Sequence, residues 1–148
     1  MASLDDVVRL AQPEAFLAIV STVRSDSTIQ SSLVNAGVMP HPLTGAEVVA
    51  FVTYGRAKLA NLRVRPQVNV AFRSGWQWIA VEGIADIVGP DDPHADFDSE
   101  RLRVLLRDIF AAAGGTHDDW DEYDRVMARD RRAAVFVTPT RIYSNAGS

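Results

Sequence analysis

The chain contains no cysteine, and Lys58 is the only lysine among its fifteen cationic side chains. The absence of cysteine excludes disulfide bonds and thiolate metal sites. No segment approaches the roughly 18 uninterrupted apolar residues that a membrane-spanning helix needs. The first residues also lack the basic and apolar regions of a secretory signal, so we expect a cytoplasmic protein.

The composition is that of an ordinary globular protein, with 47% hydrophobic and 23% charged residues. A length of 148 residues is enough to bury a core, and we expect residues 1–148 to form one domain. The net charge is −4 and no stripe of basic residues is visible, which argues against nucleic acid as a partner. Nothing in the composition indicates a membrane partner either.

Apolar runs separated by turn residues predict a succession of short strands. We predict six of them, over 16–23, 29–39, 47–53, 68–72, 76–88 and 133–138. Gly83 inside the fifth strand should mark a bulge or a barrel corner, and Pro139 should end the last strand. Strands in quick antiparallel succession favour an α+β fold dominated by a small antiparallel barrel.

Helices are predicted where polar caps precede apolar positions at helical spacing. Ser3 would cap a short first helix, and a second would run over 58–64 and end before Pro66. The third would span 99–113. Thr116 would cap the fourth, which has a predicted buried stripe of Trp120, Tyr123 and Met127.

Lys58 lies directly after the apolar run 48–52, where a strand should end and a helix begin. Arg56 and Lys58 can converge at the turn entering a helix, where free N–H groups add positive potential. Asn61, one turn later, could add a hydrogen bond. The pattern predicts an anion cradle for a small phosphate-bearing ligand, and the alternative is a solvated basic turn.

The second candidate motif is Trp76-Gln77-Trp78. Strand alternation puts Trp76 and Trp78 on one face and Gln77 on the other. The two aromatic side chains could form a wall for a planar ring system, although core packing or a dimer seam would explain either one alone. Exposed aromatics on a small barrel favour a homodimer. Glu82 is interpreted as either a satisfied barrel residue or an outward-facing one, and not as a catalytic residue.

Other polar residues point to no reactive centre. The three histidines, His41, His94 and His117, lack the short spacing of a metal ligand set, so we expect no metal. The acidic residues from 118 to 122 suit the start of a helix. No Gly-x-Ser-x-Gly, P-loop or GxGxxG sequence occurs. Catalytic residues stay unassigned, and if the chain is an enzyme we expect a bound cofactor to supply the reactive centre.

Three stretches, 51–66, 75–83 and 117–143, resemble the pyridoxamine 5′-phosphate oxidase-like split-barrel family. They contain Arg56-Ala57-Lys58, Gly75-Trp76-Gln77-Trp78 and the run from His117 to Tyr123, and the last is most similar to the branch that binds coenzyme F420. With the N-terminal hairpin, the resemblance covers nearly the whole chain. It implies a single cofactor-binding domain, a six-stranded antiparallel split β-barrel with short peripheral helices. It also implies a homodimer with two sites across the interface.

The resemblance also implies which residues bind the cofactor. The phosphate would be held around the second helix, by Arg56, Lys58 and Asn61. The ring system would lie against the end of the third strand and along the second, at Thr53, Gln30, Ser32 and Val34. The partner subunit would contribute Trp76, Gln77 and Trp78.

The implied activity is that of an F420-dependent reductase, which transfers a hydride from reduced F420 to an enone, a quinone or a biliverdin-like tetrapyrrole. Arg63 and Arg65 could offer a cationic path to the acidic tail of F420. The chain lacks the C-terminal Arg and His pair of true pyridoxamine phosphate oxidases, so vitamin B6 chemistry is not implied. Arg in place of Lys is typical of GC-rich actinobacterial genomes, in which F420 is available.

Two alternatives stay open. FMN is the rival cofactor, because it also carries one phosphate and a three-ring plane. A non-catalytic F420 carrier would use the same site without turning over an acceptor.

Overall fold

The computed structural model describes residues 2–146. Its four α-helices are α1 (Leu4–Ala11), α2 (Arg56–Val64), α3 (Ser99–Ala112) and α4 (Trp120–Arg129). Its six strands are β1 (Leu17–Val23), β2 (Ile29–Pro40), β3 (Glu47–Thr53), β4 (Gln67–Ser74), β5 (Gln77–Val88) and β6 (Ala133–Ser144). A single 3₁₀ turn, Gln12–Glu14, connects α1 to β1. None of the helices within residues 2–146 combines the length and apolar character that crossing a bilayer requires.

The six strands form one antiparallel barrel in the order β1-β2-β3-β6-β5-β4, which closes on itself. Short connections explain this order, because each of the β1–β2, β2–β3 and β4–β5 pairs is adjacent in the chain. The predicted α+β fold with a six-stranded antiparallel barrel is confirmed.

The barrel is split between β2 and β3. The two strands pair only from Ala36 with Phe51 to Pro40 with Glu47. Residues 29–35 of β2 pair with β1 on one side and, among the described residues, with no strand on the other. The first unpaired positions at this gap are Asn35 on β2 and Val52 on β3. We call this gap the split.

Two apolar layers meet at β3 and β6. Alternate residues such as Val49 and Phe51 point into the barrel, where α1 and α2 cover its ends. Their neighbours, such as Val48 and Ala50, point outward against α3 and α4. Burial on both faces explains why these strands read as continuous apolar runs without alternation.

The predicted bulge at Gly83 is confirmed, but the predicted end of the last strand is wrong. The β5–β6 register shifts between Glu82 and Gly83, opposite Pro139. A Cβ on Gly83 would lie 2.3 Å from the carbonyl oxygen of Thr138, so only glycine fits. Strand β6 continues through Pro139 because its pairing with β3 has already ended at Val137, and the missing N–H is tolerated at a bulge.

Two helix boundaries also differ from the prediction. Helix α2 begins at Arg56 and not at Lys58, with Gly55 as its N-cap residue. Helix α4 is capped by Asp119 and not by Thr116, because the Asp119 carboxylate accepts a hydrogen bond from the Glu122 N–H at 3.1 Å. The predicted Ser3 cap of α1 is confirmed by a capping box with Asp6.

Candidate cofactor-binding cleft

Lys58 is a buried cation at the start of α2. The sharp exit from β3 at Gly55 turns the first helical turn back over the strand end. Only 5% of Lys58 is exposed. Its Nζ donates a hydrogen bond to Thr53 Oγ1 at 3.1 Å and lies 5.8 Å from the centre of the Phe51 ring.

The positive charge of Lys58 is not neutralised by a negative charge within the described part of the chain. Among the described residues no carboxylate forms an ion pair with it. Burial lowers the pKa of the Lys58 ammonium, because the charged form loses its hydration. The backbone N–H of Gly55 also donates to Thr53 Oγ1, at 3.1 Å. This corner therefore presents a positive charge without a counter-ion.

Arg56 occupies a different environment from Lys58, although the sequence places them two residues apart. It is the first residue of α2 and its side chain is exposed. The guanidinium has no hydrogen bond or ion pair with any residue in the part of the chain that the structure describes. Arg56 thus lies on the solvent side of the helix start, and Lys58 lies on its buried side.

A chain of polar side chains leads from α2 into the barrel. Asn61, also buried, donates from Nδ2 to Thr22 Oγ1 at 3.0 Å. The Thr22 hydroxyl donates in turn to Gln30 Oε1 at 3.1 Å. The sequence analysis did not select Thr22. The alternation of Ala18, Val20 and Thr22 on β1 was the available signal, since it places a hydroxyl among inward-facing apolar residues.

Gln30, Ser32 and Val34 share the inward face of β2, next to the split. Their partners across β1 are the inward-facing Thr22, Val20 and Ala18, respectively. Within residues 2–146, Ser32 Oγ is the one buried side-chain nitrogen or oxygen that lacks a hydrogen-bond partner. Buried polar atoms are normally paired, so an orphan hydroxyl beside an open gap is typical of a ligand site.

All of the predicted residues on β2, β3 and α2 except the exposed Arg56 thus face one part of the barrel interior beside the split, which we call the cleft. Across the split, Val34 and Thr53 face the same barrel interior, one from each separated strand. Lys58 and Asn61 lie at its α2 end. The cleft offers a cation, hydroxyl and amide groups, and apolar walls, which suits an anionic ligand with a flat apolar body.

The Trp76-Gln77-Trp78 segment lies elsewhere in the same chain. Thr22 pairs with Val68 near α2, whereas Trp78 pairs with Arg73 near the other end of β4. Five strand residues separate the two levels, or about 17 Å. Trp76 is 95% exposed in the turn before β5, and Trp78 packs edge-on against Tyr143. One copy of the chain does not bring these aromatics to the cleft.

Arg63 and Arg65, which were suggested as a cationic path, both form hydrogen bonds within the chain. Arg63 binds Asp92 through two hydrogen bonds of 2.6 and 2.7 Å, and these bonds raise the pKa of its guanidinium. Arg65 donates from Nε to the Val23 carbonyl at 2.8 Å. Both arginines therefore tie α2 to its neighbours, but only Arg63 is paired with a carboxylate among the described residues.

The remaining polar candidates have structural contacts. His41 is buried, with Nε2 3.1 Å from Asp86 and Nδ1 accepting from the Leu43 N–H. Glu82 lies opposite Asn69 on the outer side of the barrel, as a partly exposed residue. Among residues 2–146, no three His, Asp or Glu side chains are grouped as metal ligands would be.

Comparison with solved structures identifies the fold. No family model matches the chain. A conserved hypothetical protein from Mycobacterium tuberculosis is 19% identical, with a TM-score of 0.66 over 97% of this chain and 84% of that one. An F420 reductase is also 19% identical, with a TM-score of 0.58 over 87% of this chain and 90% of that one.

Other structures with this fold bind different groups. A pyridoxamine 5′-phosphate oxidase-related, FMN-binding protein from Nostoc punctiforme is 12% identical, with a TM-score of 0.64 over 95% of this chain and 80% of that one. A heme-binding protein from Mycobacterium smegmatis is 13% identical at a TM-score of 0.62, but this chain covers only 55% of its length. The chain therefore has the split-barrel fold of the pyridoxamine 5′-phosphate oxidase-related proteins, a fold it shares with an F420 reductase.

Proposed function

We propose that the chain binds coenzyme F420 in the cleft at the split and acts as an F420-dependent reductase of a conjugated acceptor. The observation that carries this proposal is Lys58, a buried ammonium with no carboxylate partner in the described chain. A buried unpaired charge is costly, and a bound phosphate would supply both the missing charge and hydrogen-bond acceptors. The fold shared with an F420 reductase supports the choice of ligand.

Different residues of the cleft would bind different parts of the cofactor. Lys58 and Asn61 would bind phosphate oxygens from the buried side, and Arg56 would bind them from the solvent side. Thr53 Oγ1 already accepts two hydrogen bonds, so its own hydroxyl proton is free to be donated to a ligand. When bound, reduced F420 would supply the hydride, while the chain orients the ring and excludes water.

The ring system would lie along the inward face of β2. Ser32 Oγ would gain the hydrogen-bond partner that it lacks, and Val34 would provide an apolar surface. Gln30 accepts from Thr22 through Oε1, so its amide N–H₂ group remains available to a ring carbonyl. These are positioning roles, and no side chain of the cleft is assigned to the chemical step.

A second copy of the chain would complete the site. Large apolar residues are exposed on the outer face of the barrel, which we define as the outward side of β1, β2, β4 and β5, at Leu17, Ile19, Ile29, Leu33, Trp78 and Ile84. Pairing of two such faces would cover them. It would also allow the Trp76–Trp78 segment of one copy to reach the cleft of the other, which it does not reach in its own.

The test is a direct competition for the cofactor-free protein. We expect the protein to retain F420 when it is equilibrated with F420, FMN and hemin together, washed, and identified by absorption and mass spectrometry. Retention of FMN would instead indicate a flavin enzyme, the alternative that the FMN-binding structure of this fold supports. Retention of hemin, or of nothing, would also contradict the proposal.

Turnover separates a reductase from a carrier. Protein loaded with reduced F420 should oxidise it when a quinone, an enone or biliverdin is added, as followed by the return of the oxidised cofactor's absorption. Tight binding of F420 without oxidation by any of these acceptors would identify a non-catalytic carrier.

A further inference from the structure

A second cavity lies over the split, on the side of the sheet that faces α3 and α4. This pocket has a volume of about 170 Å³. Asn35 and Val52, the first unpaired positions of β2 and β3, line it from below. From above it is lined by side chains of α3 and α4 and by one cation, namely Ile109, Phe110, Ala113, Tyr123, Met127 and Arg132. We call it the split pocket.

The split pocket continues into a neighbouring cavity of about 340 Å³. The two share Asn35, Phe110 and Ala113, and the second extends to Phe16 and Gly115. Together they form a largely apolar groove that extends past Asn35 toward Phe16 and the end of α3. An engineered apolar cavity of about 150 Å³ holds one benzene ring. The groove therefore has room for a molecule of two or three fused rings, whereas the split pocket alone has no room for a tetrapyrrole.

The walls of the split pocket suit a flat aromatic molecule. Phe110 and Tyr123 lie 5.0 Å apart, and Trp120 packs edge-on against both. The Tyr123 hydroxyl donates to the Leu106 carbonyl at 3.0 Å, and burial raises its pKa to about 12. Tyr123 therefore offers its ring and not its hydroxyl. Met127 adds an adaptable apolar contact.

Arg132 lies at one end of this pocket, and only some of its hydrogen-bond donors have partners among the described residues. Its Nε and Nη2 both reach the same Asp130 oxygen, at the long distances of 3.4 and 3.2 Å. Its Nη1 has no hydrogen bond to any residue that the structure describes. The guanidinium is held 4.2 Å over the Tyr54 ring, just before α2. Arginine has five N–H donors, so Arg132 keeps its Nη1 edge free for an anion.

We propose that the groove binds the hydride acceptor, with the reacting ring in the split pocket, and that this acceptor is a two- or three-ring quinone-like molecule carrying a carboxylate or sulfonate group that Arg132 recognises. This inference rests on the proposed function, because it needs a hydride donor in the cleft. Val34 and Thr53 face the cleft while their neighbours Asn35 and Val52 line the pocket, so an acceptor in the pocket and a cofactor in the cleft would lie on opposite sides of the same gap. Hydride transfer would require their two rings to approach each other through this gap.

Binding to the cofactor-free protein tests the pocket independently of F420. The probes are naphthalene-2-sulfonate and the neutral 2-naphthalenemethanol, titrated by calorimetry. Arg132→Met, which removes the charge but keeps much of the length, should weaken sulfonate binding about tenfold or more and leave the neutral probe within about twofold. Arg129→Met is the matched control, because Arg129 pairs with the same Asp130 but does not line the pocket. It should change neither affinity.

A variant that fills the pocket provides a second measurement. Met127→Trp should weaken both probes, whatever their charge, while its thermal midpoint confirms folding. No detectable sulfonate binding to the unmodified chain, or equal losses in Arg129→Met and Arg132→Met, would overturn the pocket assignment. A loss of F420 affinity in Arg132→Met, with probe binding unchanged, would place the acidic tail of the cofactor at Arg132 instead.

Steady-state kinetics with reduced F420 connects the pocket to the reaction. For anthraquinone-2-sulfonate, Arg132→Met should raise KM about tenfold with little change in kcat, and for 2-methyl-1,4-naphthoquinone both constants should stay nearly unchanged. Equal losses for both acceptors would contradict charge recognition. Failure of F420 to bind, with sulfonate recognition intact, would refute the proposed function and leave the anion-binding pocket standing.

Discussion

A buried lysine is the residue on which the proposed site depends. Lys58 has one hydroxyl partner and no carboxylate among residues 2–146, although charged groups in protein interiors are nearly always paired. Such an arrangement destabilises the ligand-free fold, and it is retained at functional sites where a ligand supplies the opposite charge. Arg56 shares the helix start but is exposed, so water already solvates its charge.

Substitution of Lys58 and Arg56 should distinguish an anion-binding site from a solvated basic turn. Lys58→Ala and Arg56→Ala should each weaken F420 binding by roughly tens of fold, because the loss of one charged hydrogen bond costs on the order of 2 kcal/mol. Fluorescence titration of the cofactor measures this. Arg125→Ala, an exposed arginine on α4, is the control and should bind normally. If Lys58→Ala bound F420 as tightly as the unmodified protein, the anion cradle would be refuted.

The protonation of Lys58 should make stability and affinity depend on pH in opposite directions. Burial lowers the pKa of Lys58 below its ordinary value of 10.5. As pH rises from the lowered pKa toward 10.5, the folded chain releases a proton that the unfolded chain keeps, so the cofactor-free protein gains stability from this group. Affinity for an anion should fall over the same range, because the site loses its charge.

Denaturant unfolding and F420 titration at a series of pH values measure these two slopes. Lys58→Met is the reference, since its side chain does not titrate and its difference from the unmodified chain isolates the lysine. Identical pH profiles in the two proteins would show that another group controls the site.

At the scale of the elements, the bulge between β5 and β6 lets a long strand close the barrel. Gly83 packs against the backbone of β6 so closely that a methyl group would meet the Thr138 oxygen and the Val137 side chain. The register shift at this point also accommodates Pro139. One strand position therefore controls the pairing of both halves of β6.

Gly83→Ala should destabilise the protein strongly. A Cβ at 2.3 Å from a carbonyl oxygen forces the backbone to shift, and we expect a loss of about 2 kcal/mol or more in the free energy of unfolding. Differential scanning calorimetry should show a drop of about 4–8 °C in Tm. Gly55→Ala is the matched control, because its nearest neighbour lies at 3.5 Å and its φ is −66°. A Tm for Gly83→Ala equal to that of the control would mean that β5 and β6 can separate locally at no cost.

Helices α3 and α4 cover the split on one side only, where they line the split pocket. Asp124 on α4 accepts hydrogen bonds from Arg107 and Arg103 on α3, and these bonds lower its pKa. Arg107 also lies over the Trp120 ring at 5.1 Å. These contacts hold α4 to α3, and the apolar side chains of both helices pack on β3 and β6, so the pair forms the upper wall of the split pocket.

At the scale of the whole molecule, the distribution of apolar surface is uneven. Helices α3 and α4 cover the outward side of β3 and β6, whereas the outer face carries Ile29 and Leu33 at 64% and 61% exposure, respectively. A polar row runs across this face through Ser31, Ser21 and Asn69, with Leu33 and Ile19 in the next row. A surface of this kind is typical of an interface between subunits.

Dimerisation through the outer face can be tested by introducing one charged residue into that face. The unmodified chain should sediment as a dimer at micromolar concentration, and Leu33→Asp should yield a monomer with reduced F420 affinity, because the Trp76–Trp78 segment would no longer reach the cleft of another copy. Val104→Asp is the control, since Val104 is an exposed apolar residue on α3. A monomer that binds F420 with full affinity would refute both the dimer and the shared site.

The sequence by itself determined the elements and their chemistry. Alternating apolar residues specified the strands, capping residues such as Ser3 marked helix starts, and the spacing around Lys58 indicated an anion site. These signals are local, because they depend on backbone geometry within a few residues. The resemblance to a known family added the split barrel, and the fold confirms that part. The cofactor, the acceptor and the dimer remain predictions.

Only the tertiary structure decided what each side chain contacts. It paired Thr22 on β1 with Asn61 on α2, paired Arg63 with Asp92, and buried Lys58 while leaving Arg56 in solvent. It also carried β6 past Pro139 and opened the split pocket beneath α3 and α4. Contacts between residues that are distant in the chain depend on strand register and on how helices pack against the sheet. No local pattern in the sequence encodes either of these, because both result from the simultaneous packing of all the elements.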